Sequence, residues 1–264
     1  MKVSEVMTTE YETIDKDQLL SSALDLMKKK KQTRLVVVQN DKVIGLLSFR
    51  DVADRLGSPR TEGQSSKSLH VSSAMTSPVL SIDPNEDVVD AAKLMVEKRI
   101  SSLLVMENEE LKGLLRKYDL LTVYSKCKKL KVSDLMTESP MKISESERVI
   151  SARNTMMEKK FSILPVMNEG EIVGIIDDAT LAEALARFRD EVHIKHQKSK
   201  IQEYFVGMVM KQKPPTINEK EPLCNAVTLL LETQLKGIFV LDDEEKLVGI
   251  ITLTDITKAI AEER

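Results

Sequence analysis

The 264-residue sequence contains no Trp, and aromatic residues make up only 3% of it. It also carries just three His and two Cys. Cys127 and Cys224 lie far apart and outside any Cys-x-x-Cys spacing, so neither a disulfide framework nor a zinc site is expected. Both are read as reduced thiols. His70, His193 and His196 fall between the periodic segments, no Ser-His-Asp or Cys-His grouping is suggested, and an enzyme is not expected. His193 and His196 stand three apart on a candidate helix, but two surface histidines without a third ligand usually hold nothing. No apolar run approaches the roughly 20 residues that span a bilayer. Met1-Lys-Val-Ser-Glu lacks the apolar stretch of a secretory signal, so the cytosol is the expected location. A net charge of -3 gives no global pull toward nucleic acid or anionic membrane.

What the sequence does have is hydrophobic content of 42%, enough for packed cores, and a fourfold internal register. Met7, Met75, Met136 and Met210 are followed 38, 38, 38 and 39 residues later by Gly45, Gly113, Gly174 and Gly249. Seven residues after each Met comes Ile14, Ile82, Ile143 or Ile217, and sixteen after it Ala23, Ala91, Ala152 or Ala226. An apolar run follows in each unit: Leu35 to Val38, Leu103 to Met106, Leu164 to Met167, Ile238 to Leu241. Landmarks that keep step across the chain mark a true repeat of about sixty residues.

Within the first unit, Asp15 or Asp17 can cap a helix whose apolar positions are Leu19, Leu20, Ala23, Leu24 and Met27. Lys28 to Lys31 complement the negative C-terminal end of that helix and need no ligand. Leu35 to Val38 and Val43 to Leu47 read as strands joined by a tight turn at Asn40-Asp41. A second helix begins near Asp51, with Val52, Ala53 and Leu56 on its apolar face. The order is short strand, helix, strand, strand, helix, an α/β unit that needs a partner sheet to bury its apolar face. Gly57 to Ser66 reads as a flexible surface loop. Leu181 to Phe205 reads as an extended helix. A boundary near Lys126 to Lys131 divides the chain into 1–125 (repeats 1–57 and 69–125) and 126–264 (repeats 130–187 and 204–264).

The recurrent Val-Ser-x-x-Met-Thr at Val3, Val71 and Val132, with the closing Gly-Leu-Leu-Ser-Phe-Arg-Asp51 and Gly-Ile-Ile-Thr-Leu-Thr-Asp255, resembles the cystathionine β-synthase (CBS) domain family. All four units match. The resemblance implies CBS motifs paired into flat modules with a pseudo-two-fold axis and clefts that commonly bind adenosine-containing ligands. Two such modules in one chain resemble the gamma subunit of AMP-activated protein kinase and its stand-alone archaeal relatives. It also implies a disc-like homodimer, with a regulated protein partner the sequence does not identify.

In that family the closing hydroxyl residue and the Asp three places on face the ligand. A carboxylate is acceptor-only and suits two ribose hydroxyls, while the hydroxyl and the helix N-terminal amides suit phosphate oxygens. Ser48 with Asp51, and Thr252 and Thr254 with Asp255, match in full; the bland alternative is an Asp that only caps its helix. Repeat two keeps Asp119 but has Arg116 at the hydroxyl position, free to hold phosphate or to lie in solvent. Repeat three reads Asp177-Asp-Ala-Thr180, an acid in place of the hydroxyl and a hydroxyl in place of the acid, so its cleft is expected to be empty or differently selective. Thr13, Ser81 and Thr216, with Lys142 at the same register, are expected to line base and sugar. At 26 residues after the Met stand Thr33, Ser101, Ser162 and Lys236, of which Lys236 alone brings charge toward phosphate; Arg34 and Arg99 lie off that register. The expected role is regulatory, with AMP, ADP or ATP bound in two or three of four clefts. S-adenosylmethionine or a related adenosyl compound is the nearest alternative. Nucleic-acid binding through Lys126 to Lys131 and Arg187 to Lys200, with Tyr124 and Phe188 stacking on bases, is a more distant one.

Overall fold

The computed structural model describes residues 1–125 and 129–263. Repeat one contains β1 (Thr13–Asp15), α1 (Leu20–Lys29), β2 (Arg34–Gln39), β3 (Lys42–Ser48) and α2 (Phe49–Gly57). β1 pairs parallel to β2 across the α1 crossover, and β2 pairs antiparallel to β3. The hairpin turn falls at Asn40 and Asp41, whose φ values of 49° and 62° give the twist that two-residue hairpins favour. Repeat two has β4 (Ser81–Ile82), α3 (Val88–Glu97), β5 (Ser102–Glu107) and β6 (Glu110–Arg116). Its last element is a short 3-10 helix, Asp119–Tyr124, where the repeat pattern predicts an α-helix.

Repeat three runs β7 (Thr137–Glu138), β8 (Ile143–Ser144), α4 (Val149–Lys159), β9 (Ile163–Asn168), β10 (Glu171–Asp177), α5 (Asp178–Glu191) and α6 (Ile194–Lys200). Repeat four runs β11 (Lys211–Gln212), β12 (Thr216–Asn218), α7 (Leu223–Thr233), β13 (Gly237–Leu241), β14 (Leu247–Thr252) and α8 (Leu253–Ala261). The fold is therefore mixed α/β, with four strand-helix-strand-strand-helix units.

Two expectations about the connecting segments are corrected. The extended helix over Leu181 to Phe205 is broken at Val192, which is extended, with φ -84° and ψ 123°. The break is stabilised by the buried Gln197, whose amide donates to the carbonyls of Arg189 and Val192 and accepts from Arg189 Nη1 at 2.8 Å. Those carbonyls end α5 and would otherwise lack partners. The segment Gly57 to Ser66 is a packed strap rather than a flexible loop. Thr61 and Ser66 are buried, and Ser66 donates its amide and hydroxyl to Asp190 at 2.8 and 2.6 Å.

By contact density the chain forms two compact units. One comprises Met1–Glu10, Leu80–Pro140 and Pro214–Arg264; the other comprises Tyr11–Val79 and Met141–Lys213. Each takes alternate repeats, two with four and one with three, and has its own apolar core. In the first, Ala92, Met95, Leu230 and Ile256 are fully buried; in the second, Met27, Val52, Met156 and Leu181 are. Burial of a Leu- or Met-sized side chain contributes about 1.5–3 kcal/mol.

The segment that opens each repeat lies in the other unit from the rest of that repeat. Met1–Glu10 packs on repeat two, residues 69–79 on repeat one, residues 130–140 on repeat four and residues 204–213 on repeat three. The amides of Val3, Val71, Val132 and Val206 donate to the carbonyls of Glu86, Gln18, Glu221 and Glu147 at 2.7–2.9 Å. In return, the first helical amides Leu20, Val88, Val149 and Leu223 donate to the carbonyls of Leu69, Met1, Tyr204 and Leu130 at 2.8–2.9 Å. This exchanged backbone satisfies a helix N-terminal donor that side-chain caps satisfy elsewhere. Hence Asp15 and Asp17 do not cap α1; Asp15 Oδ1 instead accepts from the Asp17 amide in the preceding turn.

The exchange also explains the register of Met and Gly. Each Met meets the Gly of the neighbouring repeat, not the Gly that follows it in its own. Met75 lies against Gly45, Met7 against Gly113, Met210 against Gly174 and Met136 against Gly249. A Cβ on Gly45 would stand 2.9 Å from the Thr76 carbonyl oxygen, so the strand and the incoming backbone approach only because the side chain is absent.

Candidate functional site

At the end of β3, Ser48 caps α2 and Asp51 closes the reciprocal box. The Ser48 amide and hydroxyl both donate to Asp51 Oδ2, at 2.7 and 2.5 Å, and the Asp51 amide donates to Ser48 Oγ at 3.4 Å. From the exchanged segment, the exposed Thr76 hydroxyl donates to Asp51 Oδ1 at 3.1 Å. A carboxylate offers about four lone-pair positions. With both Ser48 donors on Oδ2, Oδ1 retains capacity on its exposed-threonine side. Burial pushes the Asp51 carboxyl above the ordinary carboxylate range, against the opposing pull of the Ser48 and Thr76 hydrogen bonds and the Arg34 charge. Arg34 stands directly across from Ser48 in the β2–β3 register.

Repeat four reproduces this arrangement. The Thr252 amide and hydroxyl donate to Asp255 Oδ2 at 2.9 and 2.6 Å, the Thr254 and Asp255 amides donate to Thr252 Oγ1, and Thr137 donates to Asp255 Oδ1 at 3.0 Å. Lys236 is brought to the same helix start, its carbonyl accepting the Leu253 amide at 3.0 Å. The buried Lys117 of repeat two reaches over from its own strand end and donates to Thr254 Oγ1 at 3.2 Å.

In repeat two, Arg116 turns back onto its own motif. It folds onto Asp119, with Nε 2.9 Å from Oδ2 and Nη2 2.6 Å from Oδ1, while its amide also donates to Oδ2 at 2.7 Å. The pair is largely shielded, 21% and 8% exposed at the two side chains. In repeat three the acid has moved rather than vanished. Asp177 occupies the cap position and accepts from the Thr180 amide and hydroxyl, both at 2.7 Å; Lys211, at the position of Thr76, donates to its other oxygen at 2.9 Å. Burial opposes this charge too, but Lys211 and the Thr180 donors together hold the Asp177 carboxyl below its ordinary range.

Thr13, Ser81 and Thr216 open the first strands of their repeats and are exposed, as is Lys142 just before β8. Phe188 is buried and stacked on Tyr204 at 5.3 Å, and Tyr124 is buried, so neither ring is an exposed platform for a base. Lys126 to Lys128, and Cys127 with them, lie outside the described residues. Among the described residues no group of three or more His, Cys, Asp or Glu is placed to hold a metal, and no helix is long and apolar enough to cross a membrane. Sequence reasoning missed Thr76, Thr137 and Lys211, which follow their Met directly, and it missed Lys117 and the placement of Arg34.

Four α/β units, each presenting an acid at a strand-to-helix turn, three of them with a hydroxyl beside it, and each completed by a segment from its neighbour, define a tandem-repeat α/β protein. The chain belongs to the CBS domain family, whose model matches residues 3–58, 71–126, 132–190 and 206–262. Protein MJ1225 of Methanocaldococcus jannaschii is 24% identical over 92% of this chain and 92% of its own length. The crystal structure of MJ1225, described as a candidate archaeal homolog of g-AMPK, superimposes with a TM-score of 0.85 over 99% of this chain and 100% of that one, at 21% identity. A protein of Pyrococcus horikoshii shares the fold less closely, with a TM-score of 0.64 at 18% identity, over 98% of this chain and 100% of its own.

Proposed function

We propose that this protein is a non-enzymatic regulatory sensor that binds an adenine nucleotide, AMP, ADP or ATP. The observation that carries the reading is the pair Asp51 and Asp255, each held by one amide and two hydroxyls at the start of a helix, with one oxygen turned to an exposed Thr. Such a carboxylate accepts hydrogen bonds from vicinal ribose hydroxyls, and the adjacent hydroxyl and helix amides accommodate phosphate oxygens. Thr13, Ser81 and Thr216 supply strand-edge groups for base and sugar. The ligand modules are taken to be 1–125 and 126–264, assembled as a cytosolic homodimer that acts on a protein partner.

Between phosphate and sulfonium ligands, the cation beside Thr254 favours phosphate. The Lys117 ammonium is 3.2 Å from the Thr254 hydroxyl. A positively charged adenosyl ligand such as S-adenosylmethionine would meet like charge there. The test is thermal unfolding of ligand-stripped protein with AMP, ADP, ATP and S-adenosylmethionine in parallel. A ligand at about 100 times its dissociation constant stabilises the fold by about 2.7 kcal/mol. No shift with any adenine nucleotide rules the reading out, and a shift with S-adenosylmethionine alone transfers it to that ligand.

A further inference from the structure

The residue that follows each Met is Thr8, Thr76, Thr137 or Lys211, and the exchange delivers it to the closing motif of the neighbouring repeat. At Asp51 and Asp255 the delivered group is a neutral hydroxyl. At Asp177 it is an ammonium, which makes an ion pair with a carboxylate only 11% exposed. In repeat two the cation comes from inside the motif, and both oxygens of Asp119 are engaged by Arg116. A fork of two parallel N–H donors on a carboxylate is the geometry by which Arg is recognised elsewhere, and it leaves little for a diol to replace.

We infer that Arg116 and Lys211 are built-in counter-ions that occupy the acids of repeats two and three, so that only the repeat-one and repeat-four motifs take a ribose. This rests on the adenine-nucleotide reading and names the residues that set its stoichiometry. A ligand hydroxyl would have to displace a charge-assisted bond in a shielded setting to enter repeats two or three, where it need only share a carboxylate with a hydroxyl in one and four. In repeats one, three and four the residue after the Met, Thr or Lys, therefore decides between an acid that is available and one that is satisfied; in repeat two Arg116 does so from within the motif.

Calorimetric titration of the ligand-stripped 264-residue chain with AMP provides the test. Two AMP are expected per wild-type chain, one lost with Asp51→Ala and the other with Asp255→Ala. Thr76→Lys, an exposed position that leaves the core untouched, is expected to weaken the Asp51 site at least tenfold. Arg116→Ser, and the triple exchange Asp177→Thr, Thr180→Asp, Lys211→Thr that copies repeat four, are each expected to add a third site. Three or four AMP on the wild-type chain, or a Thr76→Lys variant that still binds two with unchanged affinity, overturns the inference while leaving the sensor reading intact. Absence of binding by the wild-type chain overturns the sensor reading itself. Should the triple variant fail to fold, Thr76→Lys and Arg116→Ser decide the matter alone.

Discussion

Asp51 and Asp177 are carboxylates at neighbouring ends of the same motif, one facing a threonine and the other a lysine, and their acidities move in opposite directions. A carboxyl whose folded pKa is raised contributes stability below its unfolded pKa and loses that contribution as pH rises through the folded value. One whose folded pKa is lowered contributes above its unfolded pKa and loses it as pH falls through the folded value. Acidification from neutrality should therefore strengthen the wild-type protein relative to Asp51→Asn and weaken it relative to Asp177→Asn. Urea unfolding of the three proteins between pH 7 and pH 3.5 checks both signs; parallel curves contradict the assignment. Lys117 belongs to the same scale. Lys117→Met should weaken AMP, ADP and ATP by about tenfold, the worth of one charge-assisted hydrogen bond, while leaving adenosine nearly unchanged in competition titrations.

At the scale of elements, the contact of Met with Gly sets how closely the exchanged segment approaches its host strand. At Gly249 the nearest obstacle to a Cβ is the Met136 sulfur at 2.6 Å, whereas at Gly113 it is the Thr8 carbonyl oxygen at 2.6 Å. Gly249→Ala and Gly113→Ala should each destabilise by about 1–3 kcal/mol through overpacking. Met136→Ala should recover part of the first loss, because a side chain can be removed. Met7→Ala should not recover the second, because a backbone cannot. Denaturant midpoints of the four variants measure this. The register itself was legible in the sequence, since the spacing of Met and Gly repeats four times. The partner of each Met was not, because spacing along the chain is identical whether a Met meets the Gly of its own repeat or that of the next. The same blindness hid Thr76 and Lys211: beside a structural Met each reads as an ordinary polar residue, and only the covariation of Lys211 with the inverted Asp177 and Thr180 carries a signal. The break of α5 from α6 was hidden for a different reason. It depends on Gln197 folding back to Val192, a contact that periodicity does not encode.

At the scale of the whole molecule, each compact unit is assembled from stretches that are distant in sequence, and residues 1–10 belong to the unit of repeats two and four. Removing those ten residues should strip partners from the Val88 amide and from the strand face at Leu114. Hydrogen exchange of the truncated chain should show early loss of protection in α3 and β6, with β2 and β3 protected as before. Uniform loss across the chain would mean that the two units unfold as one. The α/β class was readable from hydrophobic order and turn residues, and the closing motifs from their resemblance to the CBS family. The distribution of repeats between units was not, because the apolar faces of α2 and α5, or of α3 and α8, carry no mark of the helix they choose.

The exchanged segments also set the order in which the chain can become native as it is made. Repeat one ends at Gly57, but its first helix lacks a partner for the Leu20 amide until Leu69 has emerged, and its Gly45 strand lacks one until Thr76 has. Met1–Glu10 must wait for Val88 and Leu114, which follow it in the chain. Long-range closures of this kind slow folding, because loop entropy is lost before the contacts that compensate it are formed. The nascent chain is thus held unfinished until pairs of repeats are complete, and no single repeat can satisfy its own strand and helix ends alone.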